Sequence, residues 1–247
     1  MIDILDWDTR TFGFMVARAQ WSGTPSELDS IVMKAQLADV TLLYFFGPPD
    51  AEITKHTAIP ATCVFRSGRV DFHKRMKRKP LPHFPTRQRI RAVPANFSGL
   101  DDICQLGIEA GCYSRFFRDP VFPRRSAELL YRLWTENSIR GILADATFAY
   151  AGQDGHVAGF ITAKKGQGGA RVGLVAVAPH LRGQGIGKAL LDSVEDWACR
   201  EGITDIYVST QAENKAACGL YSRCGYAVSR EEAVFHLWLR QPPEERR

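Results

Sequence analysis

The sequence has little of what marks several large classes of protein. No apolar stretch approaches the ~20 residues a helix needs to cross a bilayer. The longest, Val40 to Phe46, has the length of a buried strand. The first residues, Met-Ile-Asp-Ile-Leu-Asp-Trp-Asp, carry neither the basic start nor the apolar centre of a secretory signal, so a cytoplasmic location is expected. The six cysteines stand at 63, 104, 112, 199, 218 and 224, with no C-x-x-C pair and no Cys/His cluster at zinc spacing. A disulfide scaffold and a structural zinc site are thereby excluded, and no metal is expected. Internal repeats are missing too, and 45% of the 247 residues are hydrophobic, which excludes a disordered or collagen-like chain.

Acid is scarce in one region. From Arg66 to Arg91 there are ten basic residues and a single acid, Asp71, in a chain of net charge +5. Such a field favours anionic partners: nucleic acid, phospholipid or phosphorylated small molecules. For His73 to Lys79 the reading preferred over nucleic-acid binding is a solvated edge strand, where Lys and Arg deter pairing with another sheet.

The length suits one large domain or two modest ones. Lys79 to Thr86 holds three prolines, which oppose helix and central strand alike. The expected organisation is a small α/β unit over 1–78, a linker over 79–88, a larger α/β (α+β) domain over 89–240 and a polar tail over 241–247. In the first unit, Trp7 to Gln20 reads as extended segments. Thr24 to Glu27 has the form of a capping box with Pro25 at the first helical position. A short helix is expected over Asp50 to Thr57. Thr62 to Phe65 and Arg69 to His73 read as a hairpin turning at Arg66-Ser67-Gly68. In the second unit, helices are expected over Asp101–Gly111, from a Ser126 cap onward, over Gly187–Arg200 and over Asn214–Arg223. Strands are expected at Arg89–Val93, Leu143–Tyr150, Val157–Lys164, Val172–Val177, Ile206–Thr210, Tyr226–Ser229 and Ala233–Leu239.

Leu174 to Lys188 carries the most chemistry. An apolar strand runs through a Pro turn into Arg182-Gly183-Gln184-Gly185-Ile186-Gly187-Lys188 and then a helix. Three glycines in five positions allow backbone N–H groups to converge, and the helix start adds more with a positive dipole end. The result is a cradle for a diphosphate, with Arg182 and Lys188 as flanking charge. Neither the Walker loop nor the dinucleotide G-x-G-x-x-G pattern is present.

The loop Arg182 to Gly187 resembles the acetyl-CoA pyrophosphate loop of the GNAT N-acetyltransferase superfamily. Asn214-x-x-Ala217-x-x-x-Tyr221-x-x-x-Gly225-Tyr226 is similar to that superfamily's last helix. The resemblance implies a GNAT-type fold, a mixed and largely antiparallel sheet with flanking helices, over Arg89 to Leu239. It also implies acetyl-CoA as co-substrate. Val175, Ala176 and Val177 would pair with the pantetheine amides, and the amides of Gly183 to Lys188 would hold the pyrophosphate. Asn214, together with Ala217 of the same motif, would contact the cofactor arm. Tyr221 would reach the thioester sulfur. An amine attacking a thioester needs a donor for the oxyanion, for which the amide near Val177 is the candidate. It also needs an acid for the thiolate, for which Tyr221 is the candidate. No dedicated general base stands out: Asp119, Asp145 and Glu109 have no motif.

Leu5-Asp6-Trp7-Asp8-x-x-x-Phe12-Gly13, Ser114-Arg115-Phe116 and Tyr131-x-x-Trp134-x-x-Asn137-Ser138-x-x-Gly141 resemble the bacterial dTDP-fucosamine (dTDP-4-amino-4,6-dideoxygalactose) N-acetyltransferase branch. That branch implies a nucleotide-sugar acceptor, with Arg115 on the diphosphate and Phe116, Tyr131 and Trp134 stacking on base or sugar. Acetylation of a protein N-terminus or another small amine, and a CoA-binding module without catalysis, stay open. So does a homodimer.

Overall fold

Two-residue alternation of buried and exposed side chains makes strands of several segments; in Asp205–Gln211, for example, Ile206, Val208 and Thr210 point inward. The computed structural model describes residues 1–53, 64–76, 89–97 and 99–243. Among them the strands are β1 (Ile2–Ile4), β2 (Val16–Gln20), β3 (Leu42–Gly47), β4 (Val64–Arg75), β5 (Ile90–Ala92), β6 (Ala146–Ala151), β7 (Val157–Gly166), β8 (Gly169–Val177), β9 (Asp205–Gln211) and β10 (Ala227–Trp238). The helices are α1 (Asp6–Phe12), α2 (Pro25–Leu37), α3 (Leu100–Ala110), α4 (Arg115–Arg118), α5 (Arg124–Ile139), α6 (Ile186–Arg200) and α7 (Lys215–Arg223). Not one of these helices is long and apolar enough to cross a membrane.

The strands form one sheet in the order β1-β2-β3-β10-β4-β9-β8-β7-β6-β5. It is largely antiparallel; β2–β3 and β8–β9 are parallel. One face carries α1, α3, α4 and α5 over a core that includes Phe12, Ile103, Phe116, Leu130, Phe160 and Trp238. The other carries α6 and α7 over Phe72, Leu190, Val194 and Val208, and α2 over Leu28, Ile31 and Phe45.

Several local readings need correction. Trp7 to Gln20 is not extended throughout: α1 precedes β2, closed by Gly13 at φ 76°, and Phe12 turns inward from it. Thr24 does open α2 with Pro25, but Glu27 accepts from Ser22, N–H and hydroxyl, instead of completing a capping box. The expected hairpin at Arg66-Ser67-Gly68 is the continuous strand β4. Gly68 is needed there for close approach and not for a turn, since a Cβ would stand 2.9 Å from that of Ala212. Helix α5 starts two residues before Ser126, after Pro123. The two final strands are one, β10, kinked by a bulge between Val228 and Arg230.

The basic run is not on an edge. β4 lies between β9 and β10, with Arg69 to Arg75 paired to Gln211 to Asp205. His73 meets Asp205 at 2.8 Å, and Lys74 reaches both oxygens of buried Glu195 at 2.7 Å. Lys74 is therefore spent on internal partners, and Lys77 to Lys79 of the run fall outside the described residues. The linker expected at 79–88 and the end of the expected helix at 54–57 fall outside the described residues. The segments on either side of that linker share one sheet.

Candidate active site

β8 and β9 pair at three positions, Ala170, Arg171 and Val172 opposite Ile206, Tyr207 and Val208, and then part. The cause lies on the far side of β8. Between Ile161 and Ala163 of β7, β8 advances from Val175 back to Val172, one residue more than its partner, which makes a bulge. The Thr162 hydroxyl accepts the Leu174 N–H at 2.9 Å within it. Gly173 fits against that hydroxyl, where a Cβ would come within 2.8 Å. Leu174 and Ala178 send their N–H groups toward β7. Alternation along the strand turns those of Val175 and Val177 into the opening.

The mouth of the opening is the glycine loop. Gly183 and Gly185 both take φ 79°, and no atom lies within 4 Å of where a Cβ would be built on either. That is open space in front of a backbone only glycine adopts cheaply. Gly185 is the N-cap of α6, and the first intrahelical bond is Ala189 N–H to Gly185 carbonyl at 3.0 Å. The first-turn amides, beginning at Ile186 and Gly187, have no acceptor inside the helix. These features fit a diphosphate.

The side chains of the loop have partners within the protein. Arg182 is tied back to the Val177 carbonyl at 3.0 Å, and Lys188 to Asp192 at 2.7 Å. Ile186 is a core side chain. A Cβ on Gly187 would meet Leu220 at 3.1 Å, so that glycine serves helix packing. Gln184 is exposed.

Asn214 caps α7, its side-chain oxygen accepting the Ala217 N–H at 3.1 Å. Tyr221 is buried beside Phe72 of β4, ring centroids 5.4 Å apart, and near Tyr226. Burial raises the Tyr221 pKa above the usual 10, which keeps a protonated phenol.

On the opposite face, α4 and α5 place the residues assigned to the acceptor. The Arg115 guanidinium lies 4.8 Å from the Tyr44 ring and 4.3 Å from the Phe116 ring. Phe116 and Tyr131 are buried and Trp134 is half-buried, with Tyr131 against Phe117 and Trp134. A cleft of about 500 Å³ between α3, α5 and the glycine loop is lined by Glu109, Phe117, Arg124, Glu128, Pro179 and Arg182.

Beside Arg115 is a group that sequence reasoning missed. Buried Asp119 accepts from His236 Nδ1 at 2.7 Å and Trp238 Nε1 at 2.8 Å. Burial lowers the His236 pKa from 6.5 to about 4, against the pull of Asp119, so the ring is neutral near pH 7. Tyr44 donates to Asp8 at 3.3 Å. The partners lie 117 residues apart for Asp119 and His236, a separation that leaves no local signature.

The forked pair of strands with a glycine loop at its mouth, between helices on both faces, defines a class, and comparison with known proteins agrees. Residues 111–226 match the acetyltransferase (GNAT) family. The solved structure of a GCN5-related N-acetyltransferase from Sphaerobacter thermophilus shares the fold at TM-score 0.59 and 18% identity, over 95% of this chain and 75% of that one. Among curated relatives, the spore coat polysaccharide biosynthesis protein SpsD of Bacillus subtilis is 27% identical over 55% of this chain and 46% of its own length. The dTDP-fucosamine acetyltransferase of Escherichia coli O6:H1 is 30% identical over 60% of this chain and 62% of its own. The chain thus spans less than two thirds of either relative.

Proposed function

We propose that the protein transfers an acetyl group from acetyl-CoA to the amino group of a nucleotide-linked amino-deoxy sugar, a dTDP-4-amino-4,6-dideoxy-hexose. The fork between β8 and β9 carries the transferase reading. The relatives named for dTDP-fucosamine and for polysaccharide biosynthesis support the sugar. So do Arg115, of a type suited to a diphosphate, and half-buried Trp134, of a type suited to a base or sugar face, whereas Phe116 and Tyr131 are core side chains behind them.

In this mechanism the Gly183–Lys188 backbone holds the pyrophosphate. The Val175 and Val177 amides align the pantetheine as an added strand, and the Val177 N–H steadies the oxyanion. Arg182 holds the Val177 carbonyl, at the end of the strand that carries that amide. Asn214 sets the start of α7, and α7 sets Tyr221. Tyr221 protonates the departing thiolate, whose own proton affinity rises in the same apolar surroundings.

Isothermal calorimetry tests the cofactor assignment. A Gly185→Val side chain would fill the open space at φ 79°, strain the backbone and block the diphosphate. Acetyl-CoA affinity should fall at least tenfold, about 1.4 kcal/mol or more, with the circular dichroism spectrum retained. Unchanged affinity would refute the cradle. Thiol release from acetyl-CoA against amino-sugar nucleotides, peptides and polyamines tests the acceptor, and preference for a peptide or polyamine would refute the sugar.

A further inference from the structure

The proton that leaves the acceptor nitrogen needs a destination, and β4 brings one to the fork. The last paired position of β8 and β9 is Val172 opposite Val208, so Ser209 is the first residue past the apex. Across the sheet Ser209 stands opposite Asp71 of β4, and its hydroxyl donates to Asp71 Oδ1 at 2.5 Å. The Arg69 guanidinium donates to the two oxygens of Asp71, at 3.0 and 3.3 Å, and to the Ser209 hydroxyl oxygen at 3.3 Å. Arg171 of β8 reaches the same oxygen at 3.3 Å. The Asp71 side chain is 13% exposed. The second carboxylate nearby, Glu232, is held between Arg69 and Arg230.

The two faces of the fork are chemically distinct. Val70, Phe72 and Val208 turn toward α6, α7 and Tyr221. Strand alternation therefore turns Asp71 and Ser209 to the opposite face, the one that carries Arg115 and α5. A proton donor and a carboxylate thus flank the fork from opposite sides, and no motif in the sequence marked the carboxylate. The pantetheine arm, held at the mouth by the glycine loop, runs toward the apex along Val177 to Gly173. Four residues of strand give it roughly 13 Å.

We propose that Asp71 receives the proton from the acceptor nitrogen, with the Ser209 hydroxyl as the relay; this rests on the acetyltransferase reading above. The nitrogen lone pair forms the C–N bond, and the carbonyl π pair moves to oxygen. The nitrogen's N–H bond then breaks. Its proton passes to the Ser209 Oγ lone pair that the exposed Arg171 guanidinium, at 3.3 Å, gives up to the nitrogen, while the proton of Ser209 passes to Asp71 Oδ1. The oxyanion pair returns to re-form the carbonyl as the C–S bond breaks, the C–S pair leaves on sulfur, and sulfur takes the proton of Tyr221. The products are an amide and a thiol. Solvent then returns the proton from Asp71 to Tyr221.

The test is steady-state kinetics and acetyl-CoA calorimetry on the full chain with Asp71→Asn, Asp71→Glu and Ser209→Ala. The acceptors are dTDP-4-amino-4,6-dideoxygalactose, spermidine and a free peptide N-terminus, whichever the wild type acetylates. Asp71→Asn should lose roughly 10²–10⁴ in kcat, with acetyl-CoA affinity unchanged. The low-pH limb of its kcat profile should vanish, and Asp71→Glu should restore part of both. A purely structural role would move affinity or folding and leave the limb in place. If Asp71→Asn does not fold, Ser209→Ala decides: it keeps the Asp71–Arg69 pair, and a kcat within threefold of wild type would overturn the relay. An Asp71→Asn enzyme with wild-type kcat and pH profile would overturn the proposal outright. Failure of the wild type to bind acetyl-CoA is a different result, which overturns the acetyltransferase reading and this proposal with it.

Discussion

In the proposed mechanism Tyr221 is where a single oxygen atom carries the most chemistry. It lies seven residues after Asn214, and seven residues are close to two helical turns, so both address one side of α7. That spacing is readable in the sequence. The use of Asn214 as the helix cap is local as well, since it concerns a residue three positions on. The burial of Tyr221 against Phe72 is not, because Phe72 belongs to β4. Tyr221→Phe removes the hydroxyl and leaves that packing intact. Turnover should fall by roughly 10²–10⁴, with little change in KM for acetyl-CoA, because the interaction matters mainly in the transition state. Steady-state kinetics check this. A wild-type kcat in the variant, with chemistry shown to limit the rate, would remove Tyr221 from the mechanism. Lys188 shows the opposite lesson. Its place in the glycine loop suggests a phosphate contact, and the structure adds a partner one helical turn further on, Asp192.

At the scale of elements, β4 binds the two ends of the chain together. Lys74 lies against the Tyr226 ring, 5.2 Å from its centre, and donates hydrogen bonds to Glu195 and to the Cys224 carbonyl. Glu195 is 1% exposed, so without Lys74 it is a stranded buried carboxylate. Lys74→Met should cost about 3 kcal/mol, and Lys74→Met with Glu195→Leu should recover most of it. Urea unfolding measures both; a single variant as stable as wild type would refute the assignment. The elements that could be read from sequence were those with local causes: α3, α6, α7, β7, β8 and β9, each with its periodicity and glycine stops. Those misread had causes elsewhere. Gly68 looked like a turn because the neighbour that needs its missing Cβ, Ala212, is far along the chain. The basic stretch looked like an edge because Asp205 and Glu195, which neutralise it, are equally remote. The fork itself rests on Thr162, in β7, holding a bulge in β8.

For the molecule as a whole, His236 couples folding to pH. It is enclosed by Asp119, Arg115, Tyr44, Phe116 and Phe122, and its pKa falls from 6.5 to about 4. Below pH 6.5 the unfolded chain binds a proton that the native state refuses. Stability contributed by this site is therefore lost as pH falls from 6.5 to about 4 and is level below that. The change amounts to about 3 kcal/mol at most. Urea unfolding between pH 7 and 4.5 should show this slope in the wild type and a shallower one in His236→Gln, which can still donate to Asp119; equal slopes would refute it. The position of β4 has a consequence for synthesis. Its residue His73 pairs with a partner 132 positions later, so on the ribosome β4 emerges long before either neighbour exists. Through that interval it is a twelve-residue strand with two open edges, and the nascent chain carries the hazard of strand-to-strand association. The positive charges at its end repel other copies of the same strand while it waits. His73 and Lys74 meet Asp205 and Glu195 only when β9 and α6 arrive, so the same lysine guards the strand first and locks it in place afterwards.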